Sequence, residues 1–263
     1  MTRVALTIAG SDSSGGAGIQ ADLKTFAALG VYGTSAITAI TAQNTVEVVE
    51  AAILSADLVT AQIEAVASDI EIHAVKTGML GDAAVVEAVA AAIKELELPL
   101  LVVDPVLAST GGALLLDDDG LEMLQRLLLP LARVVTPNLP EAEVMGGQPI
   151  RSDDDLKEAA RRIHGMGAAA IIITGGHGDG GQVRDVLFDG HAFSEFLVPR
   201  VDGPSPHGTG CTFSAALAAY LALGHSLPDA AEAAQKYVAA AIARSLSIGD
   251  GDRLLGHFEP NRT

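Results

Sequence analysis

Short apolar runs alternate along the chain with longer stretches in which apolar positions recur every three or four residues. The short runs are apolar at almost every position, which is typical of parallel strands buried on both faces. The longer stretches are rich in Ala and Leu and end at Gly or Pro, as helices packed by one face do. This alternation predicts an α/β fold with a mostly parallel central sheet, helices on both faces and antiparallel edge strands.

The antiparallel edge is predicted from a hairpin around Asp189-Gly190. The predicted strands are Val4–Ala9, Ser35–Ala42, Ala74–Thr77, Leu100–Val103, Val134–Thr136, Ala168–Thr174, Val183–Phe188 and His191–Val198. The predicted helices are Ile19–Leu29, Leu58–Ile70, Ala83–Leu96, Leu121–Leu129, Leu156–Met166 and three that begin at Glu141, Thr209 and Asp229. No linker, repeat or low-complexity segment interrupts this pattern, so residues 1–263 are predicted to form a single domain.

Composition narrows the class of protein. Hydrophobic residues make up 49% of the chain, but no uninterrupted apolar stretch reaches the roughly 18 residues that a membrane span needs. The apolar run after Met1-Thr2-Arg3 is short and leads into a glycine loop, so it predicts a first strand and not a signal peptide. The single cysteine excludes an intrachain disulfide and suits a reducing cytoplasm. A net charge of −17 argues against nucleic acid or an anionic membrane as a partner.

Two acidic runs, Asp117–Asp119 and Asp153–Asp155, are interpreted as solvated surface or helix N-termini. Three consecutive carboxylates do not converge on one ion, so a metal site there is disfavoured. An acidic protein that binds an anion must therefore do so locally, with backbone dipoles, a few bases and a divalent cation.

The most informative loop runs from Pro206 to Cys211 and leads into an Ala/Leu-rich helix. Gly208 and Gly210 flank Thr209, which leaves several backbone N–H groups accessible at a helix N-terminus, a ready site for an anion. Cys211 shares that first turn, where the helix is expected to lower the pKa of a thiol. The pattern suggests phosphoryl transfer to a hydroxyl. The alternative is a glycine turn followed by a small buried cysteine, and the segment alone does not decide.

The first loop, Gly10–Gly18, follows the first strand and leads to Asp22 in a helix. It lacks the ending of a phosphate-binding P-loop, but Gly16-x-Gly18-x-x-Ala21 is a weak dinucleotide-binding pattern. That pattern requires an acidic residue after the second strand, where this chain has Gln43-Asn44-Thr45. An amide at that place pairs better with an aminopyrimidine, or with another donor–acceptor edge, than with a ribose diol.

Three further features remain ambiguous at this stage. Asn138-x-x-Glu141 fits a capping box, and it also fits oxygen ligands that hold magnesium against a nucleotide phosphate. The segment Thr174–His177 fits a glycine turn, or a loop that lets a nucleotide approach the backbone. Neither His177 nor His207 is assigned a role. Lys236 is interpreted as a surface lysine unless the fold brings it over the phosphates.

Taken in order, these segments resemble the hydroxymethylpyrimidine/phosphomethylpyrimidine kinases of thiamin biosynthesis, a branch of the ribokinase superfamily. The resemblance runs over nearly the whole chain, and its specificity lies in the ordered set of motifs. The matching stretches are Leu6–Asp12, Gly15–Thr25, Ala42–Thr45, Lys76–Leu80, Val103–Val106, Thr136–Glu141, Gly175–His177 and His207–Thr212.

The resemblance implies a ribokinase-like domain that uses ATP and Mg²⁺, is a homodimer, and phosphorylates one pyrimidine twice, first on its hydroxymethyl group and then on the monophosphate. With only three tyrosines, six phenylalanines and no tryptophan, a dimer interface would be mostly aliphatic. The implied substrate-binding residues are Gln43, Gly10, Asp22, Met79 and Val106. The implied catalytic residues are Gly208, Thr209, Gly210 and Cys211, with Cys211 where most ribokinase relatives carry an aspartate base. The implied ATP-binding residues are Asn138, Glu141, Thr174, Gly175 and Lys236, with Glu141 and Asp104 at the metal.

The sequence departs from this family pattern at three places. Thr174 stands where the family often has lysine before Gly-Gly-His, and the loop Leu107–Gly112 has no lysine. The usual Gly-His-Gly near the C-terminus is Gly249-Asp250-Gly251. The two missing lysines bear most on the second phosphorylation, because its substrate is already anionic.

Several functions stay open beside the pyrimidine kinase. A pyridoxal/pyridoxine kinase uses the same scaffold and a similar flat heteroaromatic alcohol. An NAD-dependent oxidoreductase would use the Gly16-x-Gly18 loop, and a non-catalytic binding protein would have kept only the pocket. If Cys211 is a general base, Cys211→Ala should lower turnover by about 10²–10⁴.

Overall fold

A nine-stranded sheet runs through the computed structural model, which describes residues 2–108, 112, 114–176 and 180–258. The strands are β1 (Val4–Asp12), β2 (Tyr32–Gln43), β3 (Val48–Ile53), β4 (Ala74–Thr77), β5 (Leu101–Val103), β6 (Val134–Val135), β7 (Ile171–Ile173), β8 (Gln182–Phe188) and β9 (Phe193–Pro199). Their order across the sheet is β3-β2-β1-β4-β5-β6-β7-β8-β9. The six strands from β2 to β7 in this order are parallel, and β3, β8 and β9 form antiparallel pairs at the two edges. The predicted fold class is therefore confirmed.

The edge strand β3 is absent from the sequence-based prediction. All six of its residues are exposed, so neither continuous burial nor a buried–exposed alternation marks it in the sequence. It pairs with β2 through a register that places Ala39 opposite Ile53 and Gln43 opposite Val48. Strand β2 also begins at Tyr32, three residues before the predicted start at Ser35, because Tyr32 pairs with Val4 of the buried strand β1.

Helices cover both faces of the sheet. They are α1 (Gly18–Ala28), α2 (Ala56–Ala67), α3 (Ala83–Glu95), α4 (Asp118–Met123), α5 (Leu139–Gly146), α6 (Asp153–His164), α7 (Thr209–Ala222) and α8 (Leu227–Ala243). Helices α2 to α6 contribute to the apolar core on one face, and α1, α7 and α8 contribute to the core on the other. The two acidic runs lie at the N-termini of α4 and α6, as one of their two interpretations predicted.

The predicted helix at Leu121–Leu129 is less regular than expected. Helix α4 gives way to a π-helical turn over Leu124–Leu128 and then to a 3₁₀ turn over Leu129–Leu131. Pro130 has no N–H to donate, so the α-helical hydrogen-bond pattern cannot continue through it. Among the described helices, none has both the length and the apolar character that would let it cross a membrane.

Candidate active site

The carboxyl ends of the parallel strands surround a cleft of about 600 Å³. Its walls come from the loops that follow β1, β2, β4, β5, β6 and β7, together with the N-terminus of α7. The predicted site residues that line it are Gly10, Gln43, Met79, Asp104, Val106, Asn138, Glu141, Thr174, Gly208, Thr209, Gly210 and Cys211. Residues that are far apart in sequence thus share one cavity at the sheet edge where ligands of such folds bind.

Helix α7 presents an uncapped N-terminus to the cleft. Gly208 is its N-cap residue, with a φ of 88°, and it makes no side-chain capping hydrogen bond. This left-handed conformation strains residues that carry a Cβ, and a Cβ at Gly208 would collide with the carbonyl oxygen of Gly16. The N–H groups of the first helical turn have no partner within the helix, and they add to the positive end of its dipole. Glycine at position 208 therefore allows the loop to place these N–H groups at the cleft, where they can bind an anion.

Cys211 differs from the expectation drawn from its position in this turn. Burial raises the pKa of its thiol to about 12, even though the Lys76 ammonium and the Gly18 N–H act to lower it. The Asp104 and Asp22 carboxylates add to the rise. The expectation that the helix N-terminus lowers this pKa is therefore wrong, because burial of the thiol has the larger effect. Around neutral pH, Cys211 is a neutral thiol that lines the cleft.

Beneath the cleft lies a buried ion pair. Lys76, in the short strand β4, and Asp22, in α1, both have fully inaccessible side chains. The Lys76 Nζ atom donates to both Asp22 carboxylate oxygens, at 3.0 and 2.9 Å, and the Thr7 hydroxyl donates to Oδ2 at 2.6 Å. Burial alone would lower the pKa of Lys76, but attraction by the Asp22 and Asp104 carboxylates and the hydrogen bond to Asp22 outweigh it and raise that pKa. Lys76 is therefore a fixed positive charge at the floor of the cleft.

Asp22 does not line the cleft, although it was predicted to bind substrate. Its carboxylate is occupied by Lys76 and Thr7, so the structure makes it a partner of the lysine and not a substrate ligand. Lys76 itself was not singled out from the sequence. A lysine between apolar neighbours in a short strand is a signal that could have identified it, since lysine is rarely buried unless it is paired.

Two buried carboxylates, Asp104 and Glu141, also line the cleft. Burial and then the nearby charge of Asp104 raise the pKa of Glu141 to about 7. Burial also raises the pKa of Asp104, while Lys76 and a 2.9 Å hydrogen bond from the Ser214 hydroxyl act against the rise. Two carboxylates that repel each other at a cleft wall suit a divalent cation, which would relieve that repulsion.

The magnesium prediction for Glu141 and Asp104 fits this chemistry. Mg²⁺ prefers oxygen ligands and keeps several waters, so two carboxylates suffice. Within the described part of the chain no group of three or more His, Cys, Asp or Glu side chains is placed to hold a metal. The capping box is also present: the Asn138 side chain accepts from the Glu141 N–H, and Glu141 accepts from the Asn138 N–H, both at 2.9 Å. One Glu141 oxygen thus anchors α5, while the other accepts a longer bond, 3.3 Å, from the Leu107 N–H.

A second polar cluster surrounds Gln43. Its side-chain amide lies 3.1 Å from His207 Nε2, which in turn lies 3.1 Å from Asp12 Oδ2. Burial would raise the pKa of Asp12, but hydrogen bonds from His207, Ser14 and Ala17 outweigh burial and lower it to about 2. Asp12 is not among the site residues predicted from the sequence, and no role is predicted for His207. Their pairing spans 195 residues in sequence and appears only in the fold.

The far side of the cleft is formed by the end of β7, by β8 and by α8. Thr174 lines it, whereas Gly175 does not; the Gly175 N–H donates instead to Asp185 Oδ1 at 2.8 Å. Burial raises the pKa of Asp185 to about 6. Lys236 lies outside the cleft, with its side chain 62% exposed and paired with Glu232. The predicted contact of Lys236 with ATP is therefore corrected: it is the surface lysine that its sequence context first suggested.

Two segments named in the sequence analysis fall outside the described residues. His177 belongs to residues 177–179, and Ser109, Thr110 and Gly111 belong to the loop after Val106. Among the described residues that line the cleft, the lysine and arginine residues are Lys76 and Arg200. Arg200 donates from Nε to the Gly180 carbonyl oxygen at 2.8 Å and from Nη1 to that of Gly176 at 3.0 Å. It thereby braces the glycine turn where Thr174 replaces the usual lysine.

Most of the chain matches a family of known proteins. The model of the phosphomethylpyrimidine kinase family matches residues 12–255. The hydroxymethylpyrimidine/phosphomethylpyrimidine kinase of Bacillus subtilis is 48% identical over 255 residues, covering 97% of this chain and 94% of that protein. The thiamine biosynthesis bifunctional protein ThiED of Geobacter sulfurreducens is 47% identical over 253 residues. That match covers 96% of this chain and 52% of the bifunctional protein, so the chain spans about half of that relative.

A solved structure extends the comparison to three dimensions. The pyridoxal kinase of Staphylococcus aureus in complex with ADP superposes with a TM-score of 0.91 at 38% identity, covering 100% of this chain and 96% of that one. The likeness confirms the ribokinase-like architecture, and the ADP complex associates this architecture with nucleotide binding.

Proposed function

The chain belongs to the phosphomethylpyrimidine kinase family, and from that membership and the cleft we propose that it transfers a phosphoryl group from ATP to the hydroxymethyl group of 4-amino-5-hydroxymethyl-2-methylpyrimidine, and then to its monophosphate. It is a phosphotransferase, which sets aside the NAD-dependent oxidoreductase and the non-catalytic alternatives. The observation that carries the proposal is one cleft that combines the uncapped α7 N-terminus, paired carboxylates and an amide.

The substrate half of the cleft lies beside β1 and β2. Gly10, Met79 and Val106 supply a mainly apolar slot, in which the Gly10 N–H is already bound to the Met79 carbonyl oxygen at 3.1 Å. A Cβ at Gly10 would come within 3.1 Å of the Met79 sulfur, so glycine keeps the slot open. Gln43 offers donor and acceptor atoms to a ring edge. A flat heteroaromatic alcohol suits such a slot.

The nucleotide half lies between Asn138, Glu141 and Thr174. We assign Glu141 and Asp104 to hold Mg²⁺, which when bound would neutralise phosphate charge. We assign the backbone N–H groups of Gly208 to Cys211 to bind the phosphoryl group while it is transferred. Phosphoryl transfer depends mainly on positioning and charge neutralisation, so a preorganised ring of donors supplies most of the rate.

We assign Cys211 an orienting role and not that of a general base. Its thiol pKa of about 12 makes the thiolate too scarce to be a ready general base. We assign its sulfur to accept a hydrogen bond from the substrate hydroxyl and so to orient it toward the phosphoryl group. In a loose transition state the hydroxyl proton leaves late, onto an oxygen of the transferred phosphoryl group, and a strong base is not required.

Replacing Cys211 tests this assignment. Because only orientation is lost, Cys211→Ala should lower kcat by about 10-fold, less than the 10²–10⁴ that removal of a general base costs. Cys211→Ser, which keeps an acceptor at this place, should retain more activity than Cys211→Ala. The measurement is steady-state ADP formation with saturating pyrimidine between pH 6 and 9. A loss in Cys211→Ala of more than about 10²-fold would instead indicate that the cysteine is the general base.

The affinity for a divalent cation should depend on pH through Glu141. With its pKa raised to about 7, Glu141 is a carboxylate at pH 8 and mostly a neutral acid at pH 6. Because metal binding requires the carboxylate, the free enzyme should bind Mn²⁺, a probe with the same oxygen ligands, about tenfold more weakly at pH 6 than at pH 8. Electron paramagnetic resonance of free Mn²⁺ measures this. Glu141→Gln should bind weakly at both pH values, and an equal pH dependence in that variant would exclude Glu141 as its source.

Pyridoxal kinase is the second candidate function. The superposed Staphylococcus aureus enzyme is a pyridoxal kinase at 38% identity, whereas the Bacillus subtilis pyrimidine kinase is 48% identical. The greater identity and the amide at position 43 favour the pyrimidine. Small differences in such a pocket can shift the preference between two flat alcohols.

A second copy of this chain is the proposed partner. Among the residues that the structure describes, no strand pairs with the outer edge of β3, and exposed aliphatic side chains cluster on β3 and β2. They include Ile40, Val49 and Ile53. An exposed apolar edge strand is a site for association, and its composition matches the aliphatic interface predicted from the sequence.

Product analysis tests the two-step proposal. Phosphorus NMR of the enzyme with ATP, Mg²⁺ and the hydroxymethylpyrimidine should show first a phosphate monoester and then a diphosphate attached to the pyrimidine. Accumulation of the monoester alone would limit the activity to the first step, and would point to the missing lysine at Thr174.

A further inference from the structure

The side-chain amide of Gln43 is held at both ends. The end that carries its nitrogen lies 3.1 Å from His207 Nε2, and the end that carries its oxygen lies 3.3 Å from the Thr41 hydroxyl. The two ends of an amide have nearly the same size. Which end faces which neighbour is therefore decided by donors and acceptors and not by shape.

Thr41 can only accept from this amide. A hydroxyl has one hydrogen, and Thr41 donates it to the Ser11 carbonyl oxygen, 2.8 Å away, which has nothing to donate in return. What Thr41 offers to Gln43 is a lone pair, so its proper partner is the amide NH₂ group.

His207 can only donate from Nε2. This nitrogen lies 3.1 Å from the Asp12 carboxylate, which also accepts from the Ala17 N–H at 2.8 Å and the Gly16 N–H at 3.1 Å. An ionised carboxylate is purely an acceptor, so the hydrogen must be on Nε2. This one hydrogen lies between two neighbours at 3.1 Å, the Asp12 carboxylate and the Gln43 amide, and it can be shared only if both present an acceptor; an NH₂ group of Gln43 there would set donor against donor. The ring packs closely against Gly16, where a Cβ would lie 2.8 Å from the ring Cδ2 atom, and the backbone N–H of His207 donates to the Arg253 carbonyl oxygen at 3.0 Å.

Both neighbours are satisfied by a half turn of the amide, which places the oxygen toward His207 and the NH₂ group toward Thr41. We propose that His207, fixed by Asp12, is a positioning residue that determines specificity by locking the Gln43 amide in this direction. The cleft then presents one donor–acceptor order to the ring. An aminopyrimidine, with an exocyclic amino donor beside a ring-nitrogen acceptor, can match such an order. Pyridoxal, whose ring hydroxyl is not on a carbon adjacent to the ring nitrogen, lacks that pair. The inference rests on the proposed function for the identity of the substrate.

His207→Phe tests the proposal because it keeps a flat ring and removes the donor. The amide then loses its direction, so kcat/KM for the hydroxymethylpyrimidine should fall by about 10–100-fold, mainly through KM. For pyridoxal, which does not use the amide pair, the change should stay below about threefold. His207→Gln returns an N–H donor near the position of Nε2, and it should recover most of the selectivity. An equal loss on both alcohols, or no rescue by glutamine, would overturn the proposal.

A double variant separates positioning from a general structural role. In a Gln43→Ala background there is no amide to orient, so adding His207→Phe should change the selectivity ratio by less than about twofold. Full additivity of the two single losses would show that His207 acts on something other than Gln43.

A readout without turnover keeps this proposal separate from the proposed function. The side-chain NH₂ signals of Gln43 in a ¹⁵N–¹H spectrum, assigned by their absence in Gln43→Glu, should move in His207→Phe with no substrate present. If they move while the enzyme leaves the pyrimidine unphosphorylated, the positioning stands and the proposed function fails. If they do not move, the positioning proposal is overturned.

Discussion

Lys76→Met should destabilise the protein by about 3–5 kcal/mol, because it leaves the Asp22 carboxylate buried without its counter-charge. Neither side chain is accessible to water, so solvent cannot compensate. Methionine has nearly the length of lysine and fills the same space, which limits any cavity contribution. The measurement is urea unfolding at pH 7, compared with the unsubstituted protein.

Two controls show whether the uncompensated charge is the cause. Adding Asp22→Asn removes the orphaned charge while its side-chain oxygen can still accept from Thr7, so the double variant should regain about half of the loss or more. Protonation of Asp22 at lower pH removes the same charge. In Lys76→Met, burial without a cation raises the folded-state pKa of Asp22 above its unfolded value, so the deficit should shrink as the pH falls from 7 toward 5. A loss below about 1 kcal/mol, the range of an exposed ion pair, would contradict this account of the buried pair.

Gly208→Ala should lower kcat by about 10²–10³, the effect of losing one donor from a preorganised anion site. A Cβ at this position meets the Gly16 carbonyl oxygen, so the loop must move and the first turn of α7 turns its N–H groups away. A shift of the neighbouring His207 should also raise the KM for the pyrimidine, so kcat is measured at saturating pyrimidine to isolate the anion site. Steady-state ADP formation gives both constants.

The matched control is Gly224→Ala, after the other end of the same helix. Gly224 has a φ of 91°, and a Cβ there would meet nothing within 4 Å. It therefore carries the same backbone strain, about 1–3 kcal/mol, without the collision and far from the cleft. Its kcat should stay within about twofold of the unsubstituted enzyme. If the two variants lose equal activity, general destabilisation and not the anion site explains the result.

Strands and helices could be predicted where the local sequence shows a run or a periodicity of apolar residues. The apolar run at Ala74–Thr77 gave strand β4 with its observed bounds, and the prediction of Ala83–Leu96 exceeded helix α3 by one residue. Strand β3 could not be found this way. It is held by pairing with β2 at a bare sheet edge, and no periodicity of its residues records that contact.

The site was predictable as a set of loops but not as a set of charges. Strand topology brings Gly208, Asp104 and Gln43 to one cleft, as the order of strands and helices indicated. The state of Cys211, in contrast, depends on Asp22 and Asp104, which lie far from it in sequence. The partner of Lys76 is 54 residues away. Local rules such as the helix dipole give the sign of one contribution and miss the larger effect of burial.

The most direct test of the central claim is ADP formation with ATP and Mg²⁺, measured side by side on the hydroxymethylpyrimidine, its monophosphate and pyridoxal. Turnover should depend on the added alcohol, with both pyrimidines used and pyridoxal at least about tenfold poorer in kcat/KM. Preferential turnover of pyridoxal, or ADP formation that ignores the added alcohol, would contradict it.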